Sequence, residues 1–347
     1  MYSNKVEEYL RPWHYNAQRC AKWTLLPKGC TTMLCRSVLI QVPATVGNLA
    51  GAGDCAALAL EASLNVKVTP RSDGEVGIRY FGLHGERVPR DRANHVAQAM
   101  EAALRRKGYE FNGADLEIYS SVPVGVGLGS TTAAVAAGVL AADRLFALDL
   151  EEATLLELAG AHGSRRDNVH AAWYGGLAVC VAPEGPAVYR RTSIPEELLL
   201  TVVVPEVEVR EDAEPALLDR PDRIAQMQRA AALVREFAHP GSGSFTSPPA
   251  VSASDAAKTV PGLEDALQIR RPEVLSLFVC GAGPAVGILT RGSGGNAAEA
   301  VRACLASHGV VSAVIEYRPS NSGARDWNAT RPEINLPVVT GLRPALA

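Results

Sequence analysis

The sequence predicts an α+β fold, because strand-like and helix-like segments interleave along its 347 residues without a regular βαβ repeat. Apolar content of 47% beside 20% charged residues is that of a globular chain with an ample core, and the length has room for two subdomains. No internal repeat of solenoid length interrupts this pattern.

Each element follows from local pattern. The run Ser37–Val42 and the segment NVKVTP at 65–70 read as strands, as do the edges of EVGIRYFGL at 75–83, each bounded by Pro or Gly. Residues 91–107 have helical spacing through Val96, Met100 and Leu104, with basic residues in the last turn. The strand ADLEIYSSVP at 114–123 leads through a glycine-rich turn into a helix of small residues that starts at Ser130. A helix over about 151–162 and the strand LAVCVA at 177–182 follow. The strand LLLTVVVP at 198–205 opens a second half. That half holds helices near 221–237, 253–270 and 296–307, strands near 277–281, 285–290 and 310–317, and a Pro/Gly/Ser linker at 239–249. Residues 1–36 have no periodicity, and Met33 lies just before the first strand, which reads as an extension or a start placed too early. The last 25 or so residues read as a loosely attached tail.

Composition narrows the function. A net charge of −3, from 34 basic and 37 acidic residues, and 5% aromatics disfavour nucleic acid as a partner. Seven cysteines without a C-x-x-C pair suit a reduced, cytoplasmic protein. The longest uncharged apolar stretch, Ala133 to Ala142, is too short to span a bilayer, so no membrane partner is expected. A homodimer is compatible with all of this.

Chemistry concentrates in Pro123-Val-Gly125-Val-Gly127-Leu128-Gly129-Ser130-Thr131. A glycine turn between strand and helix lets backbone N–H groups approach a phosphate, and the helix dipole adds positive charge there. The hydroxyls of Ser130 and Thr131 can then reach a phosphate oxygen or its magnesium. Neither a P-loop nor a G-x-G-x-x-G is present, and read alone the turn is as well explained by helix capping.

Two further segments, PATVGNLAGAGD from Pro43 to Asp54 and CGAGPAV from Cys280 to Val286, complete an ordered set of three. Together they resemble the motifs of the GHMP kinase superfamily over roughly residues 37–318, and most closely those of homoserine kinase. Pro43, Ala44, Thr45, Asn48, Leu49 and Asp54 fill the family's first motif. Glu157, ten residues before Asp167-Asn168-Val169, with Ala172, Gly175 and Gly176, fills its middle region. The resemblance implies a GHMP kinase fold, with a ribosomal-protein-like left-handed βαβ N-terminal half and a ferredoxin-like C-terminal half. Domains are expected at 37–195 (ATP-binding) and 196–320, flanked by the 1–36 extension and a 321–347 tail.

The implied chemistry is phosphoryl transfer from ATP, with Mg2+, to a hydroxyl of a small acceptor. By the same resemblance, Pro123, Gly125, Gly127, Leu128, Gly129, Ser130 and Thr131 hold the nucleotide. Ser130 or Thr131 and Glu157 hold the metal, and Asp167 or Asn168 faces the acceptor hydroxyl. Asn48, Asp54, Arg165, Gly281 and Gly283 line the acceptor or junction side.

Departures from the pattern fall on the acceptor half. Arg165 stands where homoserine kinases carry histidine, Pro215 where they carry an arginine, and Ala256 where they carry another, with Lys258 the nearest cation. Those arginines are expected to bind the amino acid's carboxylate, and Lys is no equivalent for a bidentate guanidinium. The acceptor is therefore read as an amino acid or related small polar metabolite. Authentic homoserine kinase is the alternative, and a catalytically silent ligand- or protein-binding module is the rival of another class. Plain structural roles stand beside these: Asn48 and Asp54 as turn caps, Glu157, Arg165 and Arg166 as solvated surface, His170 as packing.

Overall fold

The computed structural model describes residues 37–161, 165–182, 188–207, 223–239 and 260–327, with the backbone of 338–340. The expected N-terminal extension, nearly all of the 239–249 linker, the start of the 253–270 helix, and Pro215, Ala256 and Lys258 lie outside them.

The first sheet is built from β1 (Val38–Gly47), β2 (Ala56–Pro70), β3 (Val76–Gly82), β4 (Ala114–Ser120), β5 (Leu177–Cys180), β6 (Tyr189–Thr192) and β11 (Arg325–Asp326). Its order is β11-β1-β2-β4-β3, with β5 joined to β2 and β6 to β5. β1 and β2 run longer than the sequence pattern indicates. Pro43 has no N–H to donate, and the β1/β2 register shifts between Pro43 and Thr45, so the ladder continues past the proline through a bulge. The shift divides the strands between two cores. Ile40, Val42, Val66 and Val68 pack under the helices, whereas Val46, Leu58 and Leu60 join a cluster shared with the second half.

Four helices accompany this sheet: α1 (His95–Arg106), α2 (Ser130–Phe146), α3 (Glu152–Ala161) and α4 (Arg166–Tyr174). α1 connects β3 to β4, which pair in parallel. Asn94 caps it, its side chain accepting from Val96 N at 3.0 Å, and Arg105 and Arg106 in its last turn complement the helix dipole. α1 and α2 approach closely because Gly138 presents no side chain: a Cβ there would strike the Val96 carbonyl.

The second half reads β7 (Leu198–Pro205), α5 (Arg223–Ala238), α6 (Leu263–Leu267), β8 (Val274–Val279), β9 (Val286–Arg291), α7 (Gly295–Ser307), β10 (Ser312–Tyr317). The sheet order β10-β7-β9-β8, all antiparallel, is the ferredoxin-like arrangement, extended at one edge by β12 (Val338–Thr340). Leu200, Val202, Phe278, Ile315 and Tyr317 meet the first half's Leu58, Leu60 and Val122 in one core. On the other face, Val279 and Ile288 pack against Leu263, Val301 and Leu305 of α6 and α7.

Residues 321–327, the first of the expected loose tail, are tied to the first half, while most of the rest of that tail lies outside the described residues. After Pro319 bridges Leu60, Asn321 exchanges hydrogen bonds with Ile194 and Ala324 N donates to Ala172 O. β11 then pairs with β1, and Trp327 N donates to Leu39 O, so this segment is sewn into the first sheet.

Candidate active site

Three glycine turns, far apart in sequence, meet where the two sheets join. The turn after β4 is anchored by the buried Val126 and Leu128 and bends at Gly125, Gly127 and Gly129, whose φ angles are 76°, 90° and 71°. Such angles strain any other residue. Space requires glycine as well: a Cβ on Gly129 would strike Thr45 near the end of β1, which leads into the first turn, and one on Gly127 would strike the Cys280 carbonyl of the third. Backbone bonds tie the three together, Thr45 N to Leu128 O at 3.2 Å and Gly281 N to Gly47 O at 3.1 Å. Gly281 therefore sits where the first and third turns meet, and Gly283 N closes the third turn on Cys280 O at 2.7 Å.

α2 begins at this meeting point. Its N-cap is Gly129, which offers no side-chain acceptor, so the first-turn N–H groups of Ser130, Thr131 and Thr132 are left for another partner. Beside them the buried Thr45 Oγ1 has no hydrogen-bond partner. An anion at the helix start would satisfy these donors together.

The opposite wall is the start of α4. Asp167 is fully buried, and Arg165 grips it in a fork, Nε to Oδ1 at 3.2 Å and Nη2 to Oδ2 at 2.8 Å. Nη2 also donates to Gly53 O. Burial would lower the Arg165 pKa, but the charge and hydrogen bonds of Asp167, helped by Asp54, hold it above its usual value. Asn168 is buried beside Asp167, and its Oδ1 has no partner. Both side chains press on Gly47, where a Cβ would lie 3.0 Å from Asn168 Oδ1 and 3.1 Å from Asp167 Oδ2.

Asn48 has a different place from the one expected. It is fully buried with φ 60°; Nδ2 donates to Val279 O at 3.1 Å and Oδ1 accepts from Gly53 N at 3.2 Å. Through these two bonds its amide ties the first turn together and clamps it to β8. Asp54 is partly buried in the next turn, where Tyr189 Oη donates to its carbonyl at 3.0 Å.

Glu157 stands apart. α3 packs inward through Leu155 and Ala159, against Val135 and Val139 of α2, which at 1.5 Å per residue lie about 8–14 Å along the helix from Ser130. Glu157 faces away, 70% exposed, 3.9 Å from Arg106 at the end of α1. The structure does not bring it to the hydroxyls of Ser130 and Thr131. Among the described residues, no group of three or more His, Cys, Asp and Glu is arranged to hold a metal.

Several neighbours of the site carry no recognisable local motif. α5 lies over the first turn, with Arg229 Nη1 donating to Gly51 O at 3.1 Å and Gln226 covering Gly53. Arg223 Nη2 reaches Cys180 Sγ at 3.2 Å. Arg87, from a short turn after β3, lies against Gly125, with Nη1 3.1 Å from where a Cβ would stand.

Comparison with known proteins agrees with this geometry. Residues 94–176 match the family model described as the GHMP kinases N terminal domain. A homoserine kinase from Leifsonia xyli subsp. xyli is 31% identical over 275 residues, 76% of this chain and 84% of that protein. One from Moorella thermoacetica is 27% identical over 82% of this chain and 98% of its own. Among solved structures, a homoserine kinase from Cytophaga hutchinsonii superposes with a TM-score of 0.61 at 22% identity, covering 88% of this chain and 100% of that one. A Lactococcus lactis galactokinase complexed with galactose superposes at 0.62 and 13% identity, covering 94% and 100%. The converging glycine turns and these relatives together mean that the chain belongs to the homoserine kinase family of the GHMP kinases.

Proposed function

We propose that this ATP-dependent small-molecule kinase transfers the γ-phosphate to the hydroxyl of an amino acid or related small polar metabolite. The observation that carries the reading is the pair of orphaned buried oxygens, Thr45 Oγ1 of β1 against Gly129 at the nucleotide side and Asn168 Oδ1 of α4 against Gly47 at the other.

In this reading the turn from Pro123 through Gly125, Gly127, Leu128 and Gly129 to Ser130 and Thr131 cradles the phosphates through backbone N–H groups, with α2's dipole behind them. The residues fit ATP in this respect. They fit magnesium only in part: Ser130 and Thr131 supply hydroxyls, but Asp167 is occupied by Arg165 and Glu157 lies away. The metal would therefore enter with ATP, bound chiefly by phosphate oxygens and water, where it would offset phosphate charge.

The acceptor hydroxyl donates to Asn168 Oδ1, which turns its oxygen lone pair toward the γ-phosphorus. The new O–P bond forms as the bond to the bridging oxygen breaks, ADP leaves, and the hydroxyl proton passes to an oxygen of the transferred phosphoryl group and from there to solvent. Because Asp167 is held by a guanidinium, it orients Arg165 and the turn rather than serving as a free base. A loose phosphoryl-transfer transition state needs little help of that kind. Asp54 and Arg165 flank the polar end of the acceptor, with Gly281 and Gly283 allowing close approach at the junction.

Authentic homoserine kinase is the second reading, favoured by the 31% identity to a homoserine kinase. Phosphate transfer from labelled ATP to homoserine, threonine, serine, pantoate and shikimate tests both. Selective turnover of one hydroxy or amino acid is expected, and a preference for homoserine above tenfold establishes the second reading. No turnover on any acceptor, together with no ATP binding, sinks the proposal and leaves a silent binding module.

A further inference from the structure

We infer that Arg87 is the side-chain cation of the nucleotide's phosphate chain, an assignment that rests on the kinase reading. The phosphate turn and the start of α2, residues 122–134, contain no Lys, Arg or His. A triphosphate there meets backbone dipoles alone unless another element supplies charge.

Arg87 is that element. Its guanidinium lies over Gly125, the exposed glycine of the turn, with Nη1 3.1 Å and Cδ 4.0 Å from the position of a Cβ. The glycine is what allows this approach. The turn that carries Arg87 is fixed in place: Arg87 N donates to His84 O at 3.1 Å and Val88 N to Gly85 O at 3.2 Å. Arg90 Nη2 donates to Gly85 O at 2.9 Å while its guanidinium stacks over the Tyr80 ring. Val124 N reaches Leu83 O at 3.5 Å, which joins this turn to the phosphate turn.

The charge itself is weakly neutralised. Arg87 Nε lies 4.0 Å from the carboxylate of Glu86, its chain neighbour, whose side chain is 71% exposed. Exposed pairs at such separation contribute little, so the guanidinium keeps most of its charge for an incoming anion. Arginine's planar fork suits phosphate oxygens, and its stem lies along the glycine rather than in water.

The test is equilibrium binding of ATP, ADP and adenosine to the full chain and to its Arg87→Gln and Arg87→Lys variants. Arg87→Gln is expected to weaken ATP about ten- to hundredfold, the size of a lost charge-assisted hydrogen bond, and to leave adenosine unchanged. Arg87→Lys restores part of the loss, and the difference between wild type and Arg87→Gln narrows as salt is raised. An unchanged ATP affinity in Arg87→Gln, or an equal loss for ATP and adenosine, overturns the inference while the kinase reading stands. Wild-type protein that binds none of the three ligands takes both down together.

Discussion

Replacing Arg165 by Met removes the counterion of a carboxylate that has no exposure at all. Asp167 is 0% exposed and held by two hydrogen bonds of 3.2 and 2.8 Å, so its charge has no route to water once the fork is gone. Breaking a buried pair from one side costs about 3–5 kcal/mol. Asp167→Leu costs less, about 1–3 kcal/mol, because the stranded guanidinium is 21% exposed and keeps the Gly53 carbonyl. The double variant Arg165→Met/Asp167→Leu leaves neither charge and should recover much of the loss, giving a coupling energy of about 2 kcal/mol or more. Urea unfolding of the four proteins at neutral pH, followed by fluorescence and compared at equal m, measures the cycle. Additive costs in the double variant, or an Arg165→Met cost below about 1 kcal/mol, would refute a buried, mutually dependent pair.

Other expectations concern the turn and the titrating groups. Gly127→Ala forces a Cβ toward the Cys280 carbonyl at φ 90°, and a turn displaced by about 1 Å should lose about a hundredfold in kcat/KM. Gly309→Ala, at φ 79° with open space around it, is the control: a stability cost of about 1–2 kcal/mol and unchanged activity. Burial lowers the pKa of His170, whose Nδ1–H donates to Arg166 O at 2.9 Å, below its ordinary value near 6.5. The unfolded chain then takes up the proton first, so this contribution is intact above pH 6.5 and is lost as pH falls below it. The drop in Tm between pH 7 and 5.5 should shrink in His170→Gln. Burial, then Asp54 and Cys180, pushes the Cys55 thiol up to about 12, and burial raises Cys280 further. Iodoacetamide at pH 7.5 should label either by mass spectrometry only after urea unfolding, and labelling in the folded protein would contradict the assigned burial.

The reach of the sequence follows from how local each signal is. α2, its glycine turn and the third motif are legible because positive φ angles and close backbone approach admit almost nothing but glycine, as at Gly127. β1 and β2 are under-read because Pro43 looks like a strand end, whereas the bulge that carries the ladder past it appears only when β2 is paired alongside. The fork between Arg165 and Asp167 lies two residues apart in sequence, yet nothing local distinguishes it from a solvated turn; burial under Gly47 and Gly53 decides. Arg87, Tyr189, Gln226 and Arg229 reach the site from distant elements and leave no trace in spacing. Asn48 shows the opposite case: the motif is present, but the side chain is spent on clamping the first turn to β8.

The strand β11 also sets a schedule. β1 pairs at its outer edge, through Ile40 and Gln41, with Asp326 and Arg325, and Gln41 and Arg325 are 284 residues apart in sequence. Until the ribosome has delivered that distant partner, this stretch of edge presents unpaired N–H and C=O groups to any passing strand. The nascent first sheet thus stays open at that stretch while the second half is being made, and truncation just before residue 319 would remove β11 and β12 together, leaving an outer strand unpaired in each sheet.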